Sequence, residues 1–397
     1  MLIKYSFMYR IISLITLCFF SNLLCYSQIT LNIHEKSNNK LQFSDIFSSV
    51  QLIQLETNTQ CLISGVRNVK IDGNHIFLYD PRLGKVFVYN MQGEFVARIG
   101  QKGRGPGEMI EPRGFTLDNK DKLIAILDAV GKKMLYFNYR GEYVKSTESI
   151  FVLHYEKLSD STYIGYSYNG PIMGRTGPAH GDLVVFDNQG RILKEFGNIR
   201  RIPQRLSFVT STNLTVDSNF DAYLVPIFET TLYKFSPDLK CQKIAYLNFD
   251  TKIPKDVLTN LGDFEEVVKV YSKNKYPYLI SGLKVTNNLL CFNFSFNKQR
   301  YYSFWRMNSD EIQTIKQGNF INDLGGITTG GFEGEFDYGF IDVIDAVEFK
   351  EMFSNDSKKP NPLNTIKQKE IREKLISIAN SISIDDNPVL FLYTLKK

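Results

Sequence analysis

At 397 residues the chain is long for a single ordinary core, and only two or three domains or one repeat-built ring would reach that size. Its 47 Lys and Arg against 42 Asp and Glu give a formal charge of +5. Setting aside Lys4 and Arg10 of a leader lowers this to about +3, too weak a field to argue for nucleic acid. The 30 Phe and 22 Tyr suit pleated, half-buried surfaces.

Residues 1–27 read as a secretory leader. Lys4 and Arg10 precede the apolar run "IISLITLCFFSNLL", which is too short to span a bilayer comfortably. Cys25 and Ser27 then supply the small residues for a cut after Ser27, so the mature chain starts at Gln28. The competing reading is a lipoprotein anchor on Cys25, where Leu24 stands in place of the usual small residue. The expected location is the periplasm or cell surface, with no transmembrane helix in the mature chain. Residues 28–40 are expected to be a flexible lead-in.

From residue 41 the pattern has a strand period. "VQLIQLE" (50–56) is an apolar strand with no partner of its own nearby. Then "NVKIDGNHIFLYDPRLGKVFVYNMQGEFVARIG" (68–100) and "GFTLDNKDKLIAILDAVGKKMLYFNYRGEYVKS" (114–146) repeat one plan, aligned at an offset of 46 by Ile71-Asp72 and Leu117-Asp118. Each is four short strands, with the second ending in Asp and a Gly turn before the fourth. Gly93, Gly141 and Gly190 occupy matching turns and supply the positive φ that tight hairpins need. Further units follow through "LVVFDNQGRILKEFG", "NLTVDSNFDAYLVP" and "SGLKVTNNLLCFNFSFNKQRYYSFWRM". The last is a degenerate unit from "GGITTGGFEGEFDYGFIDV" to the terminal "PVLFLYTLK". A period near 45 residues with four strands each predicts propeller blades.

The fold expected is therefore all-β: a six-bladed β-propeller of four-stranded antiparallel blades over 41–397. The strand at 50–56 and the one at 388–396 share blade six and lock the ring, because open sheet edges invite aggregation. A helical insertion of about 356–387 interrupts that blade, with Ile366, Ile371, Leu375 and Ile378 at helical spacing.

"GQKGRGPGEMIEPRGF" (100–115) poses the phosphate-loop question. A phosphate loop must open a helix. Here Pro112 and an alternating strand follow, so the stretch reads as a rim-to-axis crossover shaped by Gly103, Gly105, Gly107 and Glu108. Gly105 is expected to need a conformation closed to β-branched residues, and Arg104 with Glu108 is one candidate pin between blades.

"RIGQKGRGPGEMIEPRGFTLD" followed by "ILD" resembles the NHL-type repeat. With "FSDIFSSVQLIQLET" and the terminal "DDNPVLFLYTLK" it is more similar to a secreted bacterial six-bladed β-propeller family, over about residues 41 to 397. The resemblance implies the fold and export. It implies no reaction, since that family has no common one, and its many lipoprotein-like leaders differ from this one.

Loops between second and third strands and the crossovers are expected to gather at one mouth of the channel. They would bring Arg82, Lys85, Lys102, Arg104, Arg113, Lys132, Arg175 and His180 together as a basic funnel for an anionic or hydroxyl-rich ligand. The leading functional reading is a monomeric binding module for a glycan, peptide or partner protein, without catalysis. The alternatives are a metal-dependent hydrolase or lyase of propeller type, and a scaffold using the rim. No catalytic residues are assigned: His34, His75, His154 and His180 are scattered and "G-x-S-x-G" is absent. No cofactor or metal is expected. Calcium at "GGFEGEFD" lacks the EF-hand spacing. Cys61, Cys241 and Cys291 are read as small buried hydrophobes, an odd set that leaves at least one thiol unpaired within the chain.

Overall fold

The structure, a computed structural model, describes residues 28–36, 38–197, 213–254, 256–258, 261–286, 288–353 and 362–396. The leader and the site of its cleavage lie outside the described residues.

The repeat units fold as antiparallel sheets in a propeller arrangement. The first sheet is Arg67–Asp72, His75–Asp80, Lys85–Asn90 and Phe95–Ile99, each strand paired with the next. Pro112–Asp118 to Tyr143–Glu148, His154–Lys157 to Ile192–Phe196, and Tyr278–Thr286 to Ile312–Lys316 repeat the plan. Leu214–Val216 to Cys241–Phe249 do so with one addition. Ile29–Ile33 lies parallel to the outer strand there, pairing Ile29 with Ala245 and Ile33 with Phe249. That strand replaces the flexible lead-in expected at 28–40. Its Leu31 and Ile33 are fully buried, which is what holds it to the rim.

The last sheet closes the chain on itself. Val389–Leu395 lies between Gly339–Ile344 and Phe47–Gln54, antiparallel to both. Gly334–Phe336 completes it and joins the first sheet through the parallel pairs Gly334↔Val69 and Glu335↔Lys70. The strands 47–54 and 389–395 thus pair as their apolar pattern demands.

Strands such as "HIFLY" are apolar on both sides because each sheet is covered on both faces. Phe77 and Tyr79 pack toward Phe115, Leu117 and Ile126 of the next sheet. Ile76 and Leu78, one residue out of phase, pack toward Ile341 and Leu390 of the last. Period two therefore sorts one strand between two cores. The turn glycines have the backbone expected: φ is +86° at Gly93, +80° at Gly141 and +70° at Gly190. A Cβ on Gly93 would also stand 2.1 Å from the Gln54 carbonyl oxygen, so this turn seats against the closing strand.

Helices fill the longer links. α1 (Phe264–Asn274), not foreseen in the sequence, is capped by the Asp263 side chain accepting from the Glu266 amide. α2 (Ala346–Phe353) and α3 (Lys369–Ser381) precede the closing strand. They bury Phe349, Phe353, Leu375 and Ile378 in the core of the last sheet, with Ile366 buried and Ile371 half-buried beside them. Lys374 Nζ donates to the Leu52 carbonyl, tying α3 to the edge strand. Cys61 and Cys291 are buried thiols as expected. Cys241 is exposed, because it starts an outer strand.

Candidate functional site

The crossover 100–115 enters a strand, not a helix, so it carries no phosphate loop. Gln101–Lys102 and Glu108–Met109 form a small parallel pair. Glu108 Oε2 accepts from the Gly105 amide at 2.8 Å and folds the loop on itself. Gly100, Gly103, Gly107 and Gly114 all have positive φ, and Gly107, at +78°, has Tyr143 beside it. Gly105 is not among the residues with positive φ, which corrects the expectation placed on it. The loop is instead fixed to its own sheet by Asp128. That buried carboxylate accepts from the amides of Ile110, Glu111 and Gly131. Asp80, the equivalent residue one repeat earlier, does the same for Ser64, Arg82 and Leu83. The recurring Asp at the end of the second strand is therefore the pin, and the pair Arg104 and Glu108 is not.

The eight basic residues do not form one funnel. Arg113 lines a cavity of about 190 Å³ at the axis, where the crossovers arrive. Arg82 is exposed on its loop and donates to the Ser64 carbonyl at 2.8 Å. Lys85 is half-buried, and Lys102, Arg104 and Lys132 are exposed; none of them lines the cavity. Arg175 pairs with Glu148 at 2.6 Å and borders a groove along the outer strand 192–196. The exposed His180 stands beside it, its amide donating to Glu195. These two lie at the rim because the loop 170–182 folds back, with Met173 bridging Phe151 and Pro178.

The axial cavity is completed by residues that sequence reasoning passed over. Arg67 faces it from the first inner strand, beside Asn68, His154 and Tyr168. The offset of 46 that aligns Ile71-Asp72 with Leu117-Asp118 also aligns Arg67 with Arg113, a signal that was there to read. Arg113 Nη2 pairs with Glu111, while its Nε is buried with no partner among the described residues. Arg67 has no hydrogen bond or ion pair among the described residues. Tyr168 is 1% exposed, and burial pushes its hydroxyl pKa well up. His154 Nε2 lies 3.3 Å from the Leu214 carbonyl, which can only accept. The imidazole proton therefore sits on Nε2, and Nδ1 is a lone-pair acceptor. Burial, with the nearby Lys70, Lys284 and Arg67, pushes this histidine down to about 3, so it is neutral at any working pH.

Deeper along the axis the charges close on each other. Lys70 Nζ meets Glu156 at 2.9 Å, although the sheet 112–148 stands between their two sheets in sequence. Thr215 Oγ1 donates to Glu335 at 3.2 Å past the intervening sheet 278–316, and Lys284 pairs with Glu335 at 3.0 Å. Burial draws the Lys70 ammonium down, but the carboxylates of Glu156 and Glu335 outweigh it and hold its pKa above the ordinary value. This lattice separates the first cavity from one of about 160 Å³ at the opposite end, bordered by Asp217, Phe220 and Asp337. It also commits Glu335, an acid of the stretch 330–337, to a lysine. Among the described residues no three His, Cys, Asp or Glu side chains are grouped to hold a metal ion.

The model of a domain of unknown function, DUF4934, matches residues 27–394. The chain belongs to the DUF4934 family. No curated protein matches this DUF4934 chain. In fold it is similar to a protein of Bacteroides fragilis inferred to be exported: TM-score 0.73, 20% identity, covering 93% of this chain and 100% of that one. A DUF4221 family member from Bacteroides vulgatus follows at TM-score 0.52 and 11% identity, covering 89% and 98%. A virginiamycin B lyase from Staphylococcus aureus, at TM-score 0.41 and 9% identity over 88% and 99%, is too distant to carry an argument. No described helix of the DUF4934 chain is long and apolar enough to cross a membrane.

Proposed function

We propose that this DUF4934 chain is an exported binding module: a six-bladed propeller that takes an anionic or hydroxyl-rich ligand, a glycan or a peptide, at the Arg67–Arg113 cavity. The blade count rests on treating the eight-stranded sheet as two four-stranded halves, because only two parallel pairs join them. Six apolar clusters, each spanning consecutive sheets, support the same count. Export rests on the order of charges, apolar run and small residues in 1–27, and agrees with the Bacteroides fragilis neighbour.

One observation carries the binding reading. At the cavity the Arg113 Nε is buried without a partner among the described residues, and the Tyr168 hydroxyl makes no hydrogen bond among them. Unmet hydrogen-bonding capacity at the wall of a cavity is what a ligand completes. A thermal-shift screen of glycans and peptides tests it. The expected result is a hit whose stabilisation disappears in Arg113→Gln. A screen with no hit, or hits indifferent to Arg113→Gln, sinks the reading. Intact-mass measurement of the exported protein tests the leader: a chain starting at Gln28 is expected, and a lipidated Cys25 would replace it with an anchored form.

A further inference from the structure

We infer that the ligand of this cavity is a sugar bearing a single carboxylate, a uronic-acid unit, held by Arg67 and Arg113 through the acid and by Tyr168 and His154 through its hydroxyls. The inference rests on the binding reading above and names its chemistry.

Charge comes first. The cavity holds two guanidiniums, one of them already paired with Glu111. His154 adds no charge, because burial keeps it neutral. The excess is one positive charge, which matches a carboxylate and leaves a phosphate dianion half-compensated. A planar guanidinium fork also matches the two oxygens of a carboxylate.

Hydrogen bonding comes next. The Tyr168 hydroxyl can donate and accept, and His154 Nδ1 can only accept. That pair asks for a partner that donates at one point and does either at another. Adjacent sugar hydroxyls do both. Tyr79 and Tyr155, by contrast, are spent, their hydroxyls donating to the carbonyls of Pro112 and Ala125. They contribute ring surface, with Phe115 and Leu153, against which the apolar face of a sugar ring can lie.

Size comes last. About 190 Å³ is below the span of drug-sized pockets, roughly 300–1,000 Å³, and suits one ring with a small acidic substituent.

Calorimetric titration of the purified protein with four probes decides it: methyl glucuronide, methyl glucoside, N-acetylglutamate and inorganic phosphate. The glucuronide should bind about tenfold tighter than the glucoside, the worth of one charge-assisted pair. Arg67→Gln and Arg113→Gln should each weaken it about tenfold, and Tyr168→Phe several-fold. Arg67→Gln and Tyr168→Phe should melt as the parent does, which separates lost binding from lost fold. Equal affinity for glucuronide and glucoside overturns the inference, as does phosphate or N-acetylglutamate matching the glucuronide. So does binding that survives both Arg67→Gln and Tyr168→Phe. If none of the four probes binds while a screened ligand still depends on Arg113, the acidic-sugar assignment fails and the binding reading stands. If no ligand of any class binds, both fail.

Discussion

Two levels of the axis are built from the same strands and treat charge in opposite ways. Strand 67–72 carries Arg67 at one level and Lys70 at the other; strand 154–157 carries His154 and Glu156. Lys70 and Glu156 reach past a whole sheet to meet at 2.9 Å. Arg67, three residues away and exposed, has no ion pair or hydrogen bond among the described residues, and the buried Tyr168 hydroxyl beside it has no hydrogen bond among them either. Leaving a buried donor or acceptor such as the Tyr168 hydroxyl unmade costs about 1–3 kcal/mol, which a ligand in the cavity would offset. Charge lining a channel is therefore not a functional sign in itself. The sign is charge whose partners are missing.

The closed ring is the frame for this contrast, and breaking it has the largest effect. Deleting 388–397 removes the strand between 339–344 and 47–54, exposing two edges. The expected outcome is a chain with no cooperative melting transition; a truncated protein that melts at the parent temperature refutes the closure.

Next come the paired and unpaired charges themselves. Glu156→Ala should leave the Lys70 ammonium buried without its hydrogen-bonded partner, at about 3–5 kcal/mol in denaturant unfolding. Arg67→Gln should change stability by less than about 0.5 kcal/mol. Equal losses at the two positions would erase the distinction between lattice and cavity.

Asp342 sharpens the contrast from a third side, since it is buried with no ion pair among the described residues. Its Oδ2 has no partner among the described residues, and burial pushes its carboxyl up to about 7 from an ordinary 3.8. Between those values the native state holds a proton that the unfolded chain has released. Its contribution is complete below about 3.8 and is lost as pH rises toward 7. His154 works in the opposite sense. Its native value of about 3 lies below the ordinary 6.5, so its contribution is present above 6.5 and is lost as pH falls toward 3. The two slopes oppose each other in mildly acid solution. Asp342→Asn should raise stability at pH 8 by on the order of 3 kcal/mol and expose the His154 slope on its own. A pH–stability profile unchanged by that substitution would show that Asp342 ionises normally.

The crossover gives the smallest effects. Gly107→Val should cost about 1–3 kcal/mol, because φ is +78° and Tyr143 crowds the new side chain. Arg104→Ala, on an exposed residue that pins nothing, should stay within about 0.5 kcal/mol in the same melts. If Arg104 proves the costlier of the two, the pin has been misassigned to Asp128.

What could be read from the sequence was local or repeated. Gly93, Gly141 and Gly190 announced their hairpins because a tight turn restricts backbone within four residues. The pairing of 47–54 with 389–395 followed from two apolar runs without neighbours. Strand 29–33 could not be foreseen in this way: its partners are in another unit, and the Asn32–Asn248 contact spans 216 residues. The site was misjudged for a different reason. Basic loops such as "DPRLGK" attract attention by composition, yet neither Arg82 nor Lys85 of that loop lines the cavity. Arg67 and Arg113 sit at matching points where inner strands begin, and that position, not local charge density, brings a side chain to the axis. The cross-axis pairs needed coordinates, since neither Lys70 nor Glu156 carries any local mark of the other.

The closing strand also governs when the molecule can exist. Ser48 donates to the Thr394 carbonyl across 346 residues of sequence, so the contact that seals the ring waits for a strand made long after its partner. Until residues 389–395 emerge, the strands already made have no completed circle to pack within, and the entropy of joining the two distant strands is spent only then. The nascent chain stays open, and a protease or chaperone meets it open, until that strand is made.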